Sequence, residues 1–256
     1  MVQTTSLHAS LEGSYACHAA VSAIGQLCSG PLGGVDDGNR EALQALGACE
    51  LLDELLHTNR KVPVFLHAVF FAIKSMTMSG RNRFHFSTLG TGIHICDALR
   101  DSGQSFALAS EWGVRAINML AMQCLANQMQ LLHAEAPVLI VELLKLHMKR
   151  PGVADACCRA IQNMTCVPES VVVDFGSDVC ETVVTCVNTY NGVPTVLLQA
   201  INAINNLIGS RHFPHLQAMR ALGVEVILES IAASKSYDLP VQTAAKTVMN
   251  ILINRG

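Results

Sequence analysis

A helix carrying Ala-Ile or a near equivalent recurs along the chain, at Ala23-Ile24, Ala72-Ile73, Ala121-Met122, Ala160-Ile161, Ala203-Ile204 and, more loosely, Thr247-Val248. The successive intervals are 49, 49, 39, 43 and 44 residues. Self-similarity at such a period means that each unit is one supersecondary element too small to bury its own apolar face. Stacked neighbours then supply a continuous core. Length therefore counts repeats rather than domains, and the 256 residues read as a single repeat domain.

A second landmark falls between these helices, at Leu46-Gly47, Leu89-Gly90, Phe175-Gly176 and Leu222-Gly223. Glycine reaches positive φ cheaply, which suits a sharp turn where a short helix ends and another begins. An apolar helix follows in each unit: Cys49 to Leu56, Ile93 to Leu99, Val138 to Leu144, Val179 to Val187 and Val224 to Ile231. Each unit reads as short helix, glycine turn, helix, turn, longer helix. The longer helices carry an apolar stripe at helical spacing, as in Val153, Cys157, Ala160, Ile161 and Met164, and this stripe predicts the face turned to the core. Pro63, Pro151, Pro194 and Pro240 mark helix starts, where a missing N–H costs nothing. The two longest intervals contain segments that read as insertions, Gly30 to Gly38 and Asp101 to Gly113, the latter with the single tryptophan, Trp112.

The run from Asn39-Arg40-Glu41-Ala42-Leu43 through Leu46-Gly47 to Leu55-Leu56 resembles an armadillo repeat of the importin-α and β-catenin kind. The pattern is echoed from Asn82-Arg83 to Leu99 and from Gln217 to Ile231. The resemblance implies an all-α, right-handed α-solenoid. Its parts would be residues 1–38 with a lone third helix at about 13–28, then repeats at 39–78, 79–126, 127–166, 167–208 and 209–256.

In that family the third helices line a concave groove, an asparagine on each pins the backbone of an extended peptide, and a tryptophan four residues earlier shapes a pocket. The resemblance puts Gln26, Ser75, Cys124, Asn163, Asn206 and Asn250 at the asparagine position, and Ser22, Phe71, Leu120, Arg159, Asn202 and Lys246 at the tryptophan position. The expected peptide contacts are therefore Arg159, Asn163, Asn202, Asn206, Lys246 and Asn250. An amide both donates to and accepts from a peptide unit, so it reads main chain without reading sequence. Arg159 and Lys246, with Lys74 and Arg115 on other third helices against Asp155 and Asp238, make a mildly cationic groove that favours acidic peptides. The expected function is a protein-protein interaction module holding an extended peptide. The alternative is a structural scaffold or assembly subunit that uses its outer face, or associates with itself through its ends.

Other chemistry finds little footing. A net charge of -3 with no run of more than two Lys or Arg gives no footprint for nucleic acid. No stretch approaches the roughly 18 consecutive apolar residues of a membrane span. Ten cysteines contain no Cys-x-x-Cys pair and read as reduced core residues. His212 and His215 are close in sequence, but two histidines need a third ligand to make a metal site. Gly90-Thr91-Gly92 lacks the strand and third glycine of a dinucleotide loop. No nucleophile has a base placed beside it by the sequence. The chain is expected to be a non-enzyme without metal or cofactor, cytoplasmic, with entry to the nucleus left open.

Overall fold

The computed structural model describes the backbone of residues 2–29, 37–168, 171–209 and 213–254, and the side chains of 15–29, 37–168, 171–209 and 215–254. Every regular element among these is an α-helix. The elements run α1 (Val2–Ser29), α2 (Asp37–Ala45), α3 (Ala48–Thr58), α4 (Pro63–Met76), α5 (Gly80–Leu89), α6 (Thr91–Ser102) and α7 (Ala107–Ala121). They continue with α8 (Leu125–His133), α9 (Ala136–Leu146), α10 (Pro151–Met164), α11 (Val179–Thr189), α12 (Pro194–Gly209), α13 (Phe213–Ala221), α14 (Val224–Ala233) and α15 (Leu239–Asn254). The helices fall into two compact units, residues 1–130 and 131–256.

In the first unit α4 packs against α1 on one side and α7 on the other. Phe70, Ile73 and Met76 of α4 and Ile117 and Leu120 of α7 are fully buried, and burying a side chain of this size contributes about 1.5–3 kcal/mol. The second unit repeats the arrangement, with α12 between α10 and α15. Its core includes Ile161, Met164, Leu197, Ile201, Leu207 and Leu252. Long helices thus alternate with pairs of shorter ones, as the repeat predicts.

The glycine landmarks are the left-handed turns they were read to be. Gly47, Gly90, Gly176 and Gly223 have φ of 82°, 77°, 80° and 67°. The third repeat has no glycine there and uses Glu135, with φ 53°, between α8 and α9. Polar residues opening the first helices complete the joints: Asn82 donates from Nδ2 to the carbonyl of Met76 at 3.1 Å, and Arg83 donates to that of Thr77 at 2.8 Å. Both carbonyls lie at the end of α4, where backbone acceptors have no partner inside the helix.

Three expectations need correction. The first long helix begins at Val2 rather than near residue 13. The stretch Asp101 to Gly113 is not an insertion, because α6 reaches Ser102 and α7 starts at Ala107, which puts Trp112 on a third helix. The fourth repeat has no first helix among its described residues; 171–176 is irregular, with Val173 and Phe175 buried in its place. The run Val171-Val172-Val173 weighs against a helix there, since β-branched side chains give up χ1 freedom in one, a cost that packing overrides in α11.

Candidate functional site

The third helices carry the residues proposed to contact a peptide, so their register decides which side chains are equivalent. Ala72, Ala160 and Ala203 are the tenth residues of α4, α10 and α12. In α7 the tenth residue is Ala116, followed by Ile117. The expected landmark Ala121-Met122 lies five residues too late: α7 ends at Ala121, and Gln123 is left-handed with φ 52°. Cys124 is thus off the helix, and the asparagine position of the second repeat is Met119 with Arg115 one turn before it.

Corrected in this way, the repeat intervals from Ala72 onward are 44, 44 and 43. The position two residues after each alanine holds Lys74, Asn118, Gln162 and Asn205. The position one before holds Phe71, Arg115, Arg159 and Asn202.

In the second unit the structure separates the six expected contacts. Arg159 donates from Nε to Asp155 at 3.0 Å, one turn back on α10, so its charge is already answered. Asn163 is half-buried near the end of the same helix. Asn206 donates from Nδ2 to the carbonyl of Gln162 at 3.1 Å, which ties α12 to α10. Gln162 in turn donates to the carbonyl of Gln199 at 3.1 Å. The asparagine at this position therefore reads the main chain of the neighbouring repeat.

Asn202 lies elsewhere, in a hollow of about 440 Å³ between α12 and α15. The hollow is lined by the apolar Leu198, Leu239 and Pro240 and by the polar Asn202, Asn205, Thr243 and Thr247. Asn205 keeps a shielded Oδ1 with no hydrogen-bond partner. No charged side chain lines it. Sequence reading passed over Asn205, Thr243 and Thr247, although helical spacing from Asn202 and within α15 could have shown them. Lys246 and Asn250 face a different hollow, of about 390 Å³, bordered by Glu229 of α14.

In the first unit the third-helix surface is aromatic and basic. Phe71 and Trp112 meet edge to face, with ring centroids 4.9 Å apart. The Arg115 guanidinium lies 5.6 Å from the Trp112 ring centre and pairs with Glu111 at 3.2 Å. Lys74, one turn beyond Phe71, is half-buried and has no carboxylate partner among the described residues. Burial and then the neighbouring Arg115 and Arg40 charges hold its ammonium below the usual lysine range.

Catalytic chemistry gets no support from the thiols. Burial pushes Cys49 and Cys96 up to about 12 and Cys180 up to about 11, whereas a nucleophilic cysteine is activated by a lowered value. Among the described residues no group of three His, Cys, Asp or Glu is arranged to hold a metal ion. His212 lies outside the described residues. No described helix is long and apolar enough to cross a membrane.

No family model matches the sequence, and no curated protein does. Solved structures do. An engineered protein from the Northeast Structural Genomics Consortium superposes with a TM-score of 0.77 at 18% identity, over 95% of this chain and 92% of that one. The designed armadillo repeat protein YIII(Dq)4CqI gives 0.70 at 18% identity, covering 92% of each chain. The designed armadillo repeat protein YIII(Dq.V1)4CPAF, in complex with peptide (KR)4, gives 0.69 at 18% identity, over 91% of this chain and 92% of that one. The chain has an armadillo-like, all-α repeat fold.

Proposed function

We propose that this protein is an interaction module that holds an extended segment of another protein along its third helices. The observation that carries the reading is the hollow between α12 and α15, which the amide of Asn202 lines together with the apolar Leu198, Leu239 and Pro240. Amides beside an apolar surface suit a main chain with alternating side chains, since the backbone is held without regard to sequence and the pockets select side chains. A designed armadillo neighbour that is similar in fold is bound to a peptide, which supports the same use of this fold.

The expected contacts sort into two kinds under this reading. Asn202 lines the hollow that would take a segment, whereas Asn206 serves the joint between repeats and Arg159 is paired with Asp155. Lys246 and Asn250 would meet a partner that reaches the hollow beside α14. A preference for acidic segments rests on cations that have no carboxylate partner among the described residues, Lys74 in the first unit and Lys246 in the second. Ten cysteines without a Cys-x-x-Cys pair suit a reducing compartment, which supports the cytoplasm as our proposal for its location, with the nucleus as the alternative.

Cross-linking and mass spectrometry of the complex captured from cell extract tests the reading, with an Asn163→Ala, Asn202→Ala variant run beside the parent chain. Cross-links concentrated on α10, α12 and α15, lost in a variant of unchanged helicity, support it. Cross-links confined to α9, α11 and α14 would sink it in favour of the second reading, an assembly subunit. That second reading is favoured by one observation, the exposed apolar Val226 of α14 and Ile253 of α15.

A further inference from the structure

Lys74 stands out among the residues that share its position. Its counterparts in the next three third helices are Asn118, Gln162 and Asn205, so a row of amides becomes a cation at this one place. Arg115 and Arg40, the cations nearest in charge, each have a carboxylate, Glu111 at 3.2 Å and Asp37 at 3.1 Å. Lys74 has none. A half-buried ammonium without a counter-charge is costly to keep, because burial strips its water while nothing replaces it. Such a site is complete when an anion arrives.

The surroundings narrow the class of anion. Phe71 precedes Lys74 by one turn of α4, and Trp112 meets Phe71 edge to face across the α4–α7 contact. Gly25 of α1 backs the Phe71 ring so closely that an added Cβ would lie 2.5 Å from it. The ring is thereby held in place from behind. A bare inorganic anion would leave this aromatic surface unused, whereas an extended peptide presents a carboxylate and, on the adjoining residues, apolar groups to cover the rings.

We propose that the segment held by this protein carries an aspartate or glutamate whose carboxylate pairs with Lys74, with an apolar neighbour seated on Phe71 and Trp112. The proposal rests on the peptide-binding reading above and names the chemistry of its ligand. In exchange for the pairing, the cost of the uncompensated ammonium is removed on binding. The acid is therefore selected over its amide isostere by more than an exposed ion pair would give.

Trp112 is the only tryptophan, so its fluorescence reports on this site alone. The probes are two octapeptides, (Asp-Leu)4 and (Asn-Leu)4, titrated at low salt. The acidic peptide is expected to shift the emission and to bind about tenfold more tightly than the amide peptide, a margin of roughly 1.4 kcal/mol. Lys74→Met, which keeps the aliphatic stem, is expected to abolish the preference. Lys74→Arg is expected to retain it, and Lys149→Met, at an exposed lysine between α9 and α10, to leave it unchanged.

Circular dichroism establishes that each variant is folded. Equal affinity of the parent chain for both peptides, or a preference that survives Lys74→Met, overturns the acid site. The groove reading survives that result if Phe71→Ala weakens both peptides alike. If neither peptide binds, both readings fall.

Discussion

Arg40, fully buried in α2, donates from Nε to the carbonyl of Ser75, 35 residues later near the end of α4, at 2.9 Å. The same guanidinium donates to the carbonyl of Cys28 near the end of α1 and from Nη1 to Asp37 at 3.1 Å. One side chain therefore closes the C-terminal ends of two third-type helices, whose last carbonyls have no intrahelical partner. Arg40→Met takes a buried donor from the carbonyls of Cys28 and Ser75, a loss expected to cost about 1–3 kcal/mol for each acceptor, while the largely exposed Asp37 adds little. Arg40→Lys recovers little of it, since one ammonium lacks the planar fork that reaches two carbonyls at once. Urea unfolding of the three chains checks this; a lysine variant as stable as the parent would contradict it.

The turn glycines differ in what they protect against. Around Gly90 an added Cβ would meet nothing within 4 Å, yet its φ is +77°. Gly90→Ala is therefore expected to cost about 1–2 kcal/mol through backbone strain alone, with Gly90→Asn costing less because asparagine tolerates this region. A thermal scan that ranks alanine above asparagine would point to a steric cause instead.

Gly113 presents the opposite case. Its backbone is ordinary helix in α7, and replacing a helical glycine by alanine usually gains about 1 kcal/mol. Here the new Cβ would lie 2.7 Å from Leu99 Cδ2 and 3.0 Å from its Cγ. Overpacking at that closeness costs about 1–3 kcal/mol, so Gly113→Ala is expected to be net destabilising. Trimming the neighbour tests the cause: in a cycle with Leu99→Ala, the double variant should be more stable than the sum of the two single losses. Strict additivity would mean that the contact is not responsible.

How far these features could be read from sequence follows the same distinction between local and neighbour-dependent causes. Gly47, Gly90, Gly176 and Gly223 were legible because positive φ leaves a residue-type signature, whereas Glu135 occupies the same conformation and leaves none. The second repeat's register was lost because Ala121-Met122 imitates the true Ala116-Ile117 pair, and the five-residue error displaced Trp112 into a supposed loop. The core stripe survived the error, since apolar residues at helical spacing remain apolar whichever pair is taken as the landmark. The site residues fared worse. Whether Asn206 faces a peptide or the carbonyl of Gln162, and whether Lys246 looks toward α12 or toward Glu229, depends on how neighbouring helices pack.

The buried thiols make stability depend on alkaline pH, and the sign follows from which state holds the proton. Burial pushes Cys49 and Cys96 up to about 12 and raises Cys157 as well, while Cys158 is raised first by its hydrogen bond with Cys186, 3.9 Å away, and then by burial. In an unfolded chain a thiol titrates near about 8.5. Below that pH both states keep the proton and the thiols contribute no pH dependence. Between about 8.5 and 12 the unfolded chain has lost protons that the folded chain retains, so the balance shifts toward unfolding as pH rises. Each such cysteine adds a slope of about 1.4 kcal/mol per pH unit, and Cys96 alone should remove roughly 2–3 kcal/mol between about pH 8.5 and 10.5. Urea unfolding in the presence of a reductant, at both ends of that interval, should show a large fall for the parent chain and a smaller one for Cys96→Ala, whatever the alanine costs at neutral pH. Parallel pH profiles for the two chains would mean that the Cys96 thiol titrates in the fold much as it does in solvent.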